Sequence, residues 1–442
     1  MPKIEHVIPN KTLPVRADVV VIGAGIIGIC TALELAERGL SVVVVEKGEV
    51  AAEQSSRNWG WCRQMGRDAR EIPLVLESLK IWHGMNTRVN AETGFRQCGI
   101  AYLSETDADM AAKEKWWRED AVPHGLKTRM ITAAEVADFL PGSTRSWKGA
   151  MYTPDDCRAE PFIAVPAMAR ALQAKGGQVF TNCAARGIET STGKVSAVVT
   201  ENGVIKTDTV VLAGGYWSRK FLHNIGVSFP QLGVVNSVMR TAPLDTGVTT
   251  TFSGNKFAVR KRLDGGYSVA HNHYSVADIV PDSFRLLGQF LPIFKLDWRS
   301  IKLRLGERFV QEVQLKRRWA LDEVTPFERV RILDPKPVQW ILDDVCAALR
   351  KDFPAFQNMQ IAESWGGVID ATPDAVPVID ALQKQPGLFL ASGFSGHGFG
   401  IGPGAAKLMA QIVTGEKPCV DLTPFKFSRF EDGSRPRPTT GL

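Results

Sequence analysis

The sequence ADVVVIGAGIIGICTALELAERGLSVVVVE, residues 17–46, places two short apolar runs on either side of an amphipathic segment. The runs Asp18–Ile22 and Ser41–Val45 are almost wholly branched and apolar, as are strands buried on both faces of a parallel sheet. Between them, the periodicity of Ile29–Arg38 predicts a helix, and Gly39 is placed to end it. The stretch therefore predicts a β–α–β unit, the building block of an α/β fold.

Three glycines, Gly23, Gly25 and Gly28, connect the first strand to the helix, and Glu46 follows the second strand. Each glycine has a physical role in this context. The first permits a tight turn, the second leaves room for a pyrophosphate against the backbone, and the third allows the helix to pack closely on the strand. Glu46 can accept hydrogen bonds from a ribose and would repel a 2′-phosphate. The motif therefore predicts a site for FAD or NAD, and NADP is disfavoured.

The composition is that of an ordinary globular chain. Of its 442 residues, 44% are hydrophobic and 23% are charged, which excludes a disordered or fibrous protein and suggests two or three domains. A net charge of +6 without a basic block argues against nucleic acid as a partner. Seven scattered cysteines without a C-x-x-C pair indicate a reducing compartment. Residues 1–18 lack the apolar run of a secretory signal, so we expect a cytoplasmic protein.

Two further glycine-rich stretches follow predicted buried strands. Thr209–Leu212 leads into Ala213–Gly215, and Gly387–Ala391 leads into a loop at 392–400 that precedes a helix predicted at 404–413. Backbone N–H groups at helix N-termini and in glycine-rich loops stabilise negative charge. Because the carboxyl ends of parallel strands meet at one edge of a sheet, we expect both stretches to face the same cofactor.

Residues 96–149 and 229–340, which lie between these stretches, contain more charged residues and more tryptophan. They also carry weaker signals for parallel strands. We therefore predict an α/β (α+β) architecture of two interleaved domains. The nucleotide-binding domain takes residues 17–95, 150–228 and 341–442. The substrate-binding domain takes residues 96–149 and 229–340, with a helical insertion at about 276–330.

Four longer stretches resemble a known family. They are AAEQSSR (51–57), NCAARGIETSTGKVSAVVTENGVIKTDTVVLAGGYWSR (182–219), LDEVTPFE (321–328) and DFPAFQ (352–357). Together with the glycine motif, they are similar to the D-amino-acid oxidase superfamily of flavoenzymes, most closely to the bacterial membrane-associated L-amino acid deaminases. The resemblance implies a Rossmann-like FAD-binding domain interleaved with an antiparallel-sheet substrate domain. It also implies noncovalent FAD, because residues 363–374, where some relatives attach the cofactor, contain neither Cys nor His.

The resemblance further implies which residues bind FAD. The glycine turn and the end of the second strand would hold the ADP half, and the other stretches would line the pyrophosphate and the flavin. The implied set is Gly23, Gly25, Ile26, Gly28, Glu46, Lys47, Ser55, Ser56, Arg57, Ala185, Ala213, Gly214, Trp217, Gly393, Phe394, Gly396, His397 and Gly398.

For the substrate, the resemblance places the carboxylate on Arg260, which lies in a predicted hairpin strand. A guanidinium can bind a carboxylate through two parallel hydrogen bonds. Many amino-acid-oxidising relatives carry a further arginine where this chain has Ile369. Carboxylate binding therefore rests on Arg260, or on Arg63 or Arg67.

Three more residues are candidates for the substrate site. Trp61 stands where the deaminases carry a substrate-facing glutamine, and Gln64 follows three residues later. Trp61 would reshape the pocket and could stack on a ring. His397 is a candidate acid or base, or a residue that shapes the loop at 392–400, which we call the flavin loop. His271 and His273 could share one strand face as metal ligands, but no third ligand is apparent, so we predict no metal site.

The implied reaction is oxidation of an amino acid at its C–N bond. A hydride passes to flavin N5, and the imine hydrolyses to a 2-oxo acid plus ammonia or an amine. The electron acceptor would be O2, a quinone or the respiratory chain. Two alternatives stay open. One is an oxidase or dehydrogenase of a secondary, N-alkylated or D-amino acid such as hydroxyproline, pipecolate, sarcosine or an opine, and the other is an FAD-binding subunit that is inactive without a partner.

The segment 276–330 combines Phe290, Leu291, Ile293 and Phe294 with basic residues, a composition typical of membrane interfaces. One interpretation is peripheral contact with the inner membrane through this segment. The other is a helical subdomain packed on the substrate domain.

Overall fold

Two large β-sheets organise the chain, of which a computed structural model describes residues 2–434 and 437–439. The strands are β1 (Val19–Ile22), β2 (Val42–Val45), β3 (Trp61–Cys62), β4 (Arg96–Gln97), β5 (Ile100–Ser104), β6 (Arg129–Thr132), β7 (Gly149–Thr153), β8 (Cys157–Arg158), β9 (Gln178–Phe180), β10 (Ala185–Ser191), β11 (Lys194–Thr200), β12 (Gly203–Lys206), β13 (Val210–Leu212), β14 (Leu232–Thr241), β15 (Thr251–Ser253), β16 (Ala258–Lys261), β17 (Tyr267–Ala270), β18 (Ser275–Asp278), β19 (Ile301–Arg304), β20 (Ile361–Ala371), β21 (Val378–Ala381) and β22 (Leu388–Ser392).

The α-helices connect and cover these strands. They are α1 (Ile26–Glu37), α2 (Gln54–Arg57), α3 (Ile72–His83), α4 (Met85–Val89), α5 (Asp107–Trp116), α6 (Ala133–Phe139), α7 (Pro161–Ala174), α8 (Ser218–Asn224), α9 (Pro281–Arg285), α10 (Leu287–Asp297), α11 (Glu307–Gln314), α12 (Pro326–Arg329), α13 (Gln339–Asp352) and α14 (Gly398–Thr414).

The first sheet has six strands in the order β21-β22-β13-β1-β2-β9, and its strands are parallel except β21. The central strand β1 pairs on one side with β13, where Val20 faces Val210, and on the other with β2, where Val20 faces Val43. Every residue of these three strands is buried. The predicted β–α–β unit and the mixed α/β class are confirmed. The strand ends at Ile22, Val45 and Leu212 meet at one edge of the sheet.

Helices α1 and α14 pack side by side on this sheet, with α7 beside α1 and α3 beside α14. Helix α14 begins at Gly398, earlier than the predicted start, so Pro403 lies inside the helix and not in its first turn. A proline there removes one backbone donor. The amide of Gly404 donates to Oγ of Ser78 (3.1 Å), and that hydroxyl donates to the carbonyl of Gly400 (2.7 Å). Helix α3 thus supplies hydrogen bonds beside the interruption.

The second sheet has ten strands in the order β19-β18-β14-β17-β16-β15-β5-β7-β6, with β20 paired to β14. Its pairs are antiparallel except β15 with β5 and β18 with β19. The hairpin predicted around Arg260 is present as β16 and β17. A separate three-stranded meander, β10-β11-β12, turns at Thr192-Gly193 and at Glu201-Asn202.

Two elements belong to a different sheet from the one that the predicted domain limits imply. Strand β20 pairs with β14 along its length, and α13 packs Leu342, Val345 and Leu349 into the core under the second sheet. Both elements fall within 341–442, which the sequence assigned to the nucleotide-binding domain apart from the first two residues of α13. The sequence pattern of a single strand or helix does not indicate which sheet it joins. The domain limit at residue 341 could therefore not be predicted from local sequence.

The insertion is not purely helical. It includes β18 and β19, which pair in parallel at the edge of the second sheet, together with α9 to α12. Phe290 and Ile293 are buried with Leu286 against Ala371 of β20, whereas Leu291 is exposed. The segment is therefore anchored on the substrate domain by one face of α10.

Candidate functional site

A cavity opens at the carboxyl ends of β1, β2 and β13, where α1 and α14 also begin. It contains about 1180 Å³ of space free of protein atoms, counting its open mouth. It follows the general rule that open α/β sheets bind ligands beyond the carboxyl ends of their strands. The predicted cofactor residues that line it are Gly23, Gly25, Ile26, Glu46, Lys47, Ser55, Ala185, Ala213, Gly214, Trp217, Phe394, Gly396 and Gly398.

The glycine turn has the geometry that its spacing predicts. Gly23 adopts a φ of +108°, and a Cβ there would lie 2.5 Å from the carbonyl oxygen of Ala213. A Cβ at Gly28 would lie 1.9 Å from the carbonyl oxygen of Gly23. At Gly25 a Cβ would meet only Oγ of Ser55, at 3.0 Å, so the rest of that backbone face is open. The turn is therefore compact on its protein side and accessible on its cavity side.

Glu46 ties the end of β2 to this turn. Its two carboxylate oxygens accept hydrogen bonds from the amides of Ala24 and Gly48, both at 2.8 Å. Burial raises the pKa of Glu46, while Lys47 and the two amides act in the opposite direction. A carboxylate accepts more than one hydrogen bond per oxygen, so Glu46 keeps acceptor capacity for the hydroxyl groups of a ribose.

Sequence reasoning missed Glu53, which lines the cavity and binds three other groups. Its carboxylate accepts from Nζ of Lys47 (2.6 Å), from Nε1 of Trp217 (2.9 Å) and from the amide of Leu333 (2.9 Å). The ammonium group of Lys47 also lies 4.5 Å from the centroid of the Trp217 ring. Glu53 belongs to the AAEQSSR stretch that carried the resemblance, so its position in that motif was the available signal.

Asp370, at the end of β20, was also missed and lines the cavity near the second glycine-rich loop. Its Oδ2 accepts from the amide of Gly393 (2.9 Å) and from Nε2 of Gln231 (3.1 Å). Burial raises its pKa to about 6, although these hydrogen bonds act to lower it. The carboxylate thereby holds the loop after β22 against the end of β20.

Five predicted cofactor residues do not line the cavity: Gly28, Ser56, Arg57, Gly393 and His397. Arg57 is buried and donates to Oδ1 of Asp334 (2.6 Å) and to the carbonyl of Gly366 (2.8 Å). It thus joins α2 to β20 and to the segment before α13. Gly28 and Gly393 shape neighbouring backbone, and cofactor contact by these five residues stays a prediction.

The residues of the cavity fit FAD. The N-cap residues of α1 and α14 provide no side-chain cap. The amide of Ile26 donates to Oγ of Ser55 (2.8 Å), and the next N–H groups of α1 and the first ones of α14 are available to anionic ligand oxygens. The open face of Gly25 fits a pyrophosphate, and Phe394 and Phe399 provide an apolar wall for a ring system. A long cavity with a polar turn at one end and an aromatic loop at the other has the form that a dinucleotide requires.

An aromatic cluster lies on the substrate side of α14. The ring centroids of Trp59 and Trp61 are 5.3 Å apart in an edge-to-face arrangement, and Tyr102 lies 6.1 Å from Trp61. A Cβ at Gly400 would lie 2.9 Å from the carbonyl oxygen of Trp61, which places β3 directly against the first turn of α14. Trp61 therefore lies next to the start of α14, and its contact with substrate stays a prediction.

Arg260 is buried and bound by the protein itself. It donates through Nη1 and Nη2 to both carboxylate oxygens of Glu160 (2.8 and 3.2 Å), through Nη2 to Oγ of Ser268 (3.0 Å), and through Nε to the carbonyl of Trp59 (2.6 Å). It does not line the cavity. The carboxylate-binding role stays a prediction, and these contacts argue against it, because all three guanidinium nitrogens already have acceptors.

The loop between β3 and α3 holds the other two arginines. The guanidinium of Arg63 lies 5.7 Å from the centroid of the Tyr102 ring, and Arg67 is 3% exposed. Asp156 accepts from the amides of Gln64 (2.7 Å) and Met65 (3.4 Å), and burial raises the pKa of Asp156 to about 7. Gln64 is therefore positioned through its backbone, and the loop is fixed by a buried carboxyl group.

His397 immediately precedes α14. Its Nδ1 lies 2.9 Å from Oε2 of Glu71, which is fully buried, and its Nε2 has no hydrogen-bond partner among the described residues. Burial, followed by the charge of Arg67, lowers the pKa of His397, so the imidazole is neutral at neutral pH. When Nδ1 carries the proton that Glu71 accepts, Nε2 is left as a hydrogen-bond acceptor.

Within residues 2–434 and 437–439, no three His, Cys, Asp or Glu side chains are grouped so as to hold a metal ion. Nε2 of His271 lies 3.2 Å from Asp344, and His273 lies against Oγ of Ser300. The same described part of the chain contains no helix that is both long and apolar enough to cross a membrane.

Known proteins of similar sequence and structure agree with this geometry. The chain matches the family described as FAD dependent oxidoreductase over residues 18–412. L-amino acid deaminase from Proteus vulgaris is 35% identical, with a TM-score of 0.93 and coverage of 96% of this chain and 100% of that one. L-amino acid deaminase from Proteus myxofaciens, solved in complex with anthranilate, is 36% identical, with a TM-score of 0.93 and coverage of 97% and 96%.

A more distant relative is sarcosine dehydrogenase of Mus musculus, which is 23% identical over 96% of this chain. The match covers 42% of that protein, so the chain spans about two fifths of its length. The family match covers most of the sequence, and the glycine turn, Glu46 and the flavin loop form the cavity that the family requires. The chain therefore belongs to the D-amino-acid oxidase superfamily of FAD-dependent oxidoreductases, and FAD is its cofactor.

Proposed function

We propose that the protein oxidises the C–N bond of an amino acid, giving an imine that hydrolyses to a 2-oxo acid and ammonia. The observation that carries this proposal is the His397–Glu71 pair, which lies beside the flavin loop together with the buried Arg67 of the β3–α3 loop. Bound FAD supplies the chemistry, since its N5 accepts the hydride from the carbon that bears the amine. The protein positions the substrate and manages its charge and its proton.

The neutral imidazole of His397 takes the amine proton. A substrate ammonium must lose a proton before its C–H bond can be oxidised, and Nε2 of His397 is the available acceptor. Glu71 orients the ring through Nδ1 and compensates the charge that the imidazole acquires. The aromatic rings of Trp59, Trp61 and Tyr102 exclude water from the side of the substrate.

A second candidate function is oxidation of a secondary or N-methylated amino acid, with release of an amine. It is favoured by Trp61, which replaces a substrate-facing glutamine with an aromatic surface next to Trp59 and Tyr102. Such a surface fits a ring or a methylated amine better than a primary one. The sarcosine dehydrogenase of Mus musculus, a distant relative, acts by its name on an N-methylated amino acid.

Anaerobic bleaching of the flavin tests both functions. The holoenzyme is mixed with L-, D-, cyclic and N-methyl amino acids in the absence of oxygen, and absorbance is followed at the flavin bands. Bleaching by primary L-amino acids supports the first function, and bleaching by N-methyl or cyclic substrates alone supports the second. If no member of the panel bleaches the isolated chain, both are wrong and the protein is a subunit that needs a partner. Reoxidation of the bleached enzyme by air or by a soluble quinone then identifies the electron acceptor.

FAD is held without a covalent bond. No residue that lines the cavity is a cysteine or a histidine, the side chains that some relatives use for attachment. Acid precipitation should therefore release the yellow chromophore into the supernatant. A yellow pellet would contradict the proposal.

The insertion contacts the surface of an anionic bilayer. Phe284, Leu287, Leu296 and Trp298 are each more than half exposed. The basic residues Arg285, Lys295, Arg299 and Lys302 lie among them in the sequence. Exposed apolar side chains beside basic ones are typical of interfacial helices. Phe290 and Ile293 do not take part, because they are buried against the substrate domain.

Co-sedimentation with phosphatidylglycerol vesicles tests this contact. The double variant Leu287→Glu with Trp298→Glu should sediment less than the wild type, and added salt should weaken binding of the wild type. Val204→Glu is the matched control, because Val204 is a comparably exposed apolar residue on the distant meander. Equal sedimentation of the double variant and the wild type would contradict membrane contact.

A further inference from the structure

Arg67 is a buried arginine without an ionic partner. Only 3% of the residue is exposed. Nε donates a long hydrogen bond of 3.3 Å to the carbonyl of Arg63, and Nη1 is buried with no partner. No carboxylate of the described residues lies within ion-pair distance of this guanidinium. Buried charged groups are normally paired, and one that is not requires an explanation.

Arg260 shows what a satisfied arginine in the same region looks like. Its guanidinium is paired with Glu160 through both nitrogens of the fork, and its remaining contacts are to Ser268 and to a backbone carbonyl. A substrate carboxylate could bind there only by displacing a buried ion pair. Arg67 needs no such displacement, because its Nη groups make no hydrogen bond to the described residues.

Arg67, like Arg260, does not line the cofactor cavity, and it is its place beside His397 that fits a substrate. It lies in the loop that leads from β3, which packs on the first turn of α14, to α3. It is close enough to His397 for its charge to lower the pKa of that imidazole. Glu71, the nearby carboxylate, binds His397 through Oε2, and its buried Oε1 has no hydrogen-bond partner among the described residues and lies beyond ion-pair distance of Arg67. Arg67 thus belongs to the same group as the predicted proton acceptor, next to the flavin loop.

The rest of the loop does not neutralise Arg67. Arg63 adds a second positive charge, and Asp156 points its oxygens to backbone amides of the loop. Burial, followed by the charge of Arg63, lowers the pKa of Arg67 to about 9. A bound anion would reverse both effects, since it would supply the missing acceptor and the missing negative charge.

We infer that Arg67, and not Arg260, binds the carboxylate of the substrate. This inference rests on the proposed function and assigns the substrate class as an amine that carries a carboxylate. The guanidinium holds the carboxylate by its unused Nη donors, and His397 then faces the amine. Arg260 has a different task, which is to join β16 to Glu160, the residue before α7, and to the carbonyl of Trp59.

The test measures binding and not turnover. Holoenzyme is titrated by calorimetry with anthranilate, the compound in the Proteus myxofaciens structure, and with aniline, which lacks the carboxylate. Arg67→Met should weaken anthranilate by roughly 10- to 100-fold, because a charged hydrogen-bonding partner is lost, and should leave aniline unchanged. Arg260→Met should lower the melting temperature without changing the ratio of the two affinities.

Three results would overturn the inference. They are an unchanged ratio in Arg67→Met, a lost ratio in an Arg260→Met protein that keeps its FAD, and a wild type that binds anthranilate no better than aniline. If Arg67→Met does not retain FAD, Arg67→Lys decides, because it keeps the charge and loses the fork. It should bind anthranilate with intermediate affinity. The proposed function fails separately, through the absence of flavin bleaching by any amino acid.

Discussion

The glycine turn at 23–28 and the loop at 59–71 lie on two sides of the same flavin site, but they are built in different ways. The turn works through backbone, and a few contiguous residues set its shape. The loop works through buried ionisable groups, which include Asp156 before β8, His397 before α14 and Glu71 before α3. The backbone of the glycine turn leaves no room for an added atom. The network of ionisable groups around the loop tolerates changes of side-chain shape and responds to pH. The two halves of the site should therefore fail in different ways.

The largest effect is expected in the turn. Gly28→Ala would place a Cβ 1.9 Å from a backbone oxygen that cannot move without opening the turn. We expect a loss of about 4 kcal/mol or more in unfolding free energy and loss of bound FAD. The ratio of flavin to protein absorbance after purification measures the second effect. Gly84→Ala is the control, because its Cβ would have only an ordinary contact of 3.8 Å and should keep FAD.

The next largest effect is expected on catalysis, from substitutions at His397 and Glu71 on the side of the loop at 59–71. His397→Asn removes the proton acceptor and should lower kcat/KM by about 10²- to 10⁴-fold with FAD retained. Glu71 acts through His397 as a positioning residue. Since Glu71 raises the pKa of His397 against the effect of burial, Glu71→Gln should move the acid limb of the pH–rate profile to lower pH. An unmoved limb would mean that Glu71 has only a structural role.

Loss of the buried ion pair between Arg260 and Glu160 should lower the free energy of unfolding, through an unpaired charge and not through a steric clash as in the glycine turn. Glu160→Gln leaves Arg260 buried with a neutral partner, and we expect a loss of about 3–5 kcal/mol in denaturant unfolding. The control is Glu114→Gln, which breaks the exposed pair with Arg118 and should cost less than about 1 kcal/mol. Comparable losses in the two variants would show that the buried pair is no stronger than a surface one.

The smallest effect concerns pH. Because burial raises the pKa of Asp156 to about 7, well above its ordinary value, the folded state binds this proton more tightly than the unfolded state does. Its contribution to stability is present at low pH and is lost as pH rises toward 7. Relative to Asp156→Asn, the wild type should lose about 2 kcal/mol between pH 5 and pH 8. A pH-independent difference in unfolding free energy would contradict the raised pKa.

The three glycines of the turn were understood correctly, but those of α14 were not. The loop at 392–400 is expected from sequence to face the cofactor, but of its glycines only Gly396 and Gly398 line the cavity. Cβ atoms at Gly400, Gly402 and Gly404 would meet β3, α1 and α3 instead. Both uses of glycine remove a side chain to allow close approach, so the sequence cannot distinguish a ligand from a neighbouring helix.

Local sequence was sufficient for the β–α–β unit, the cofactor edge of the first sheet and the hairpin that carries Arg260. These depend on periodicity and on spacing within a few residues, which a sequence displays directly. Only tertiary structure decided which sheet β20 joins, and which arginine is satisfied. Arg63, Arg67 and Arg260 are equivalent as residues. They differ because Glu160 pairs with Arg260, whereas no carboxylate in the described part of the chain lies within ion-pair distance of Arg67. Pairing of buried charge depends on long-range contacts, so the substrate side of this site could not be read from the chain alone.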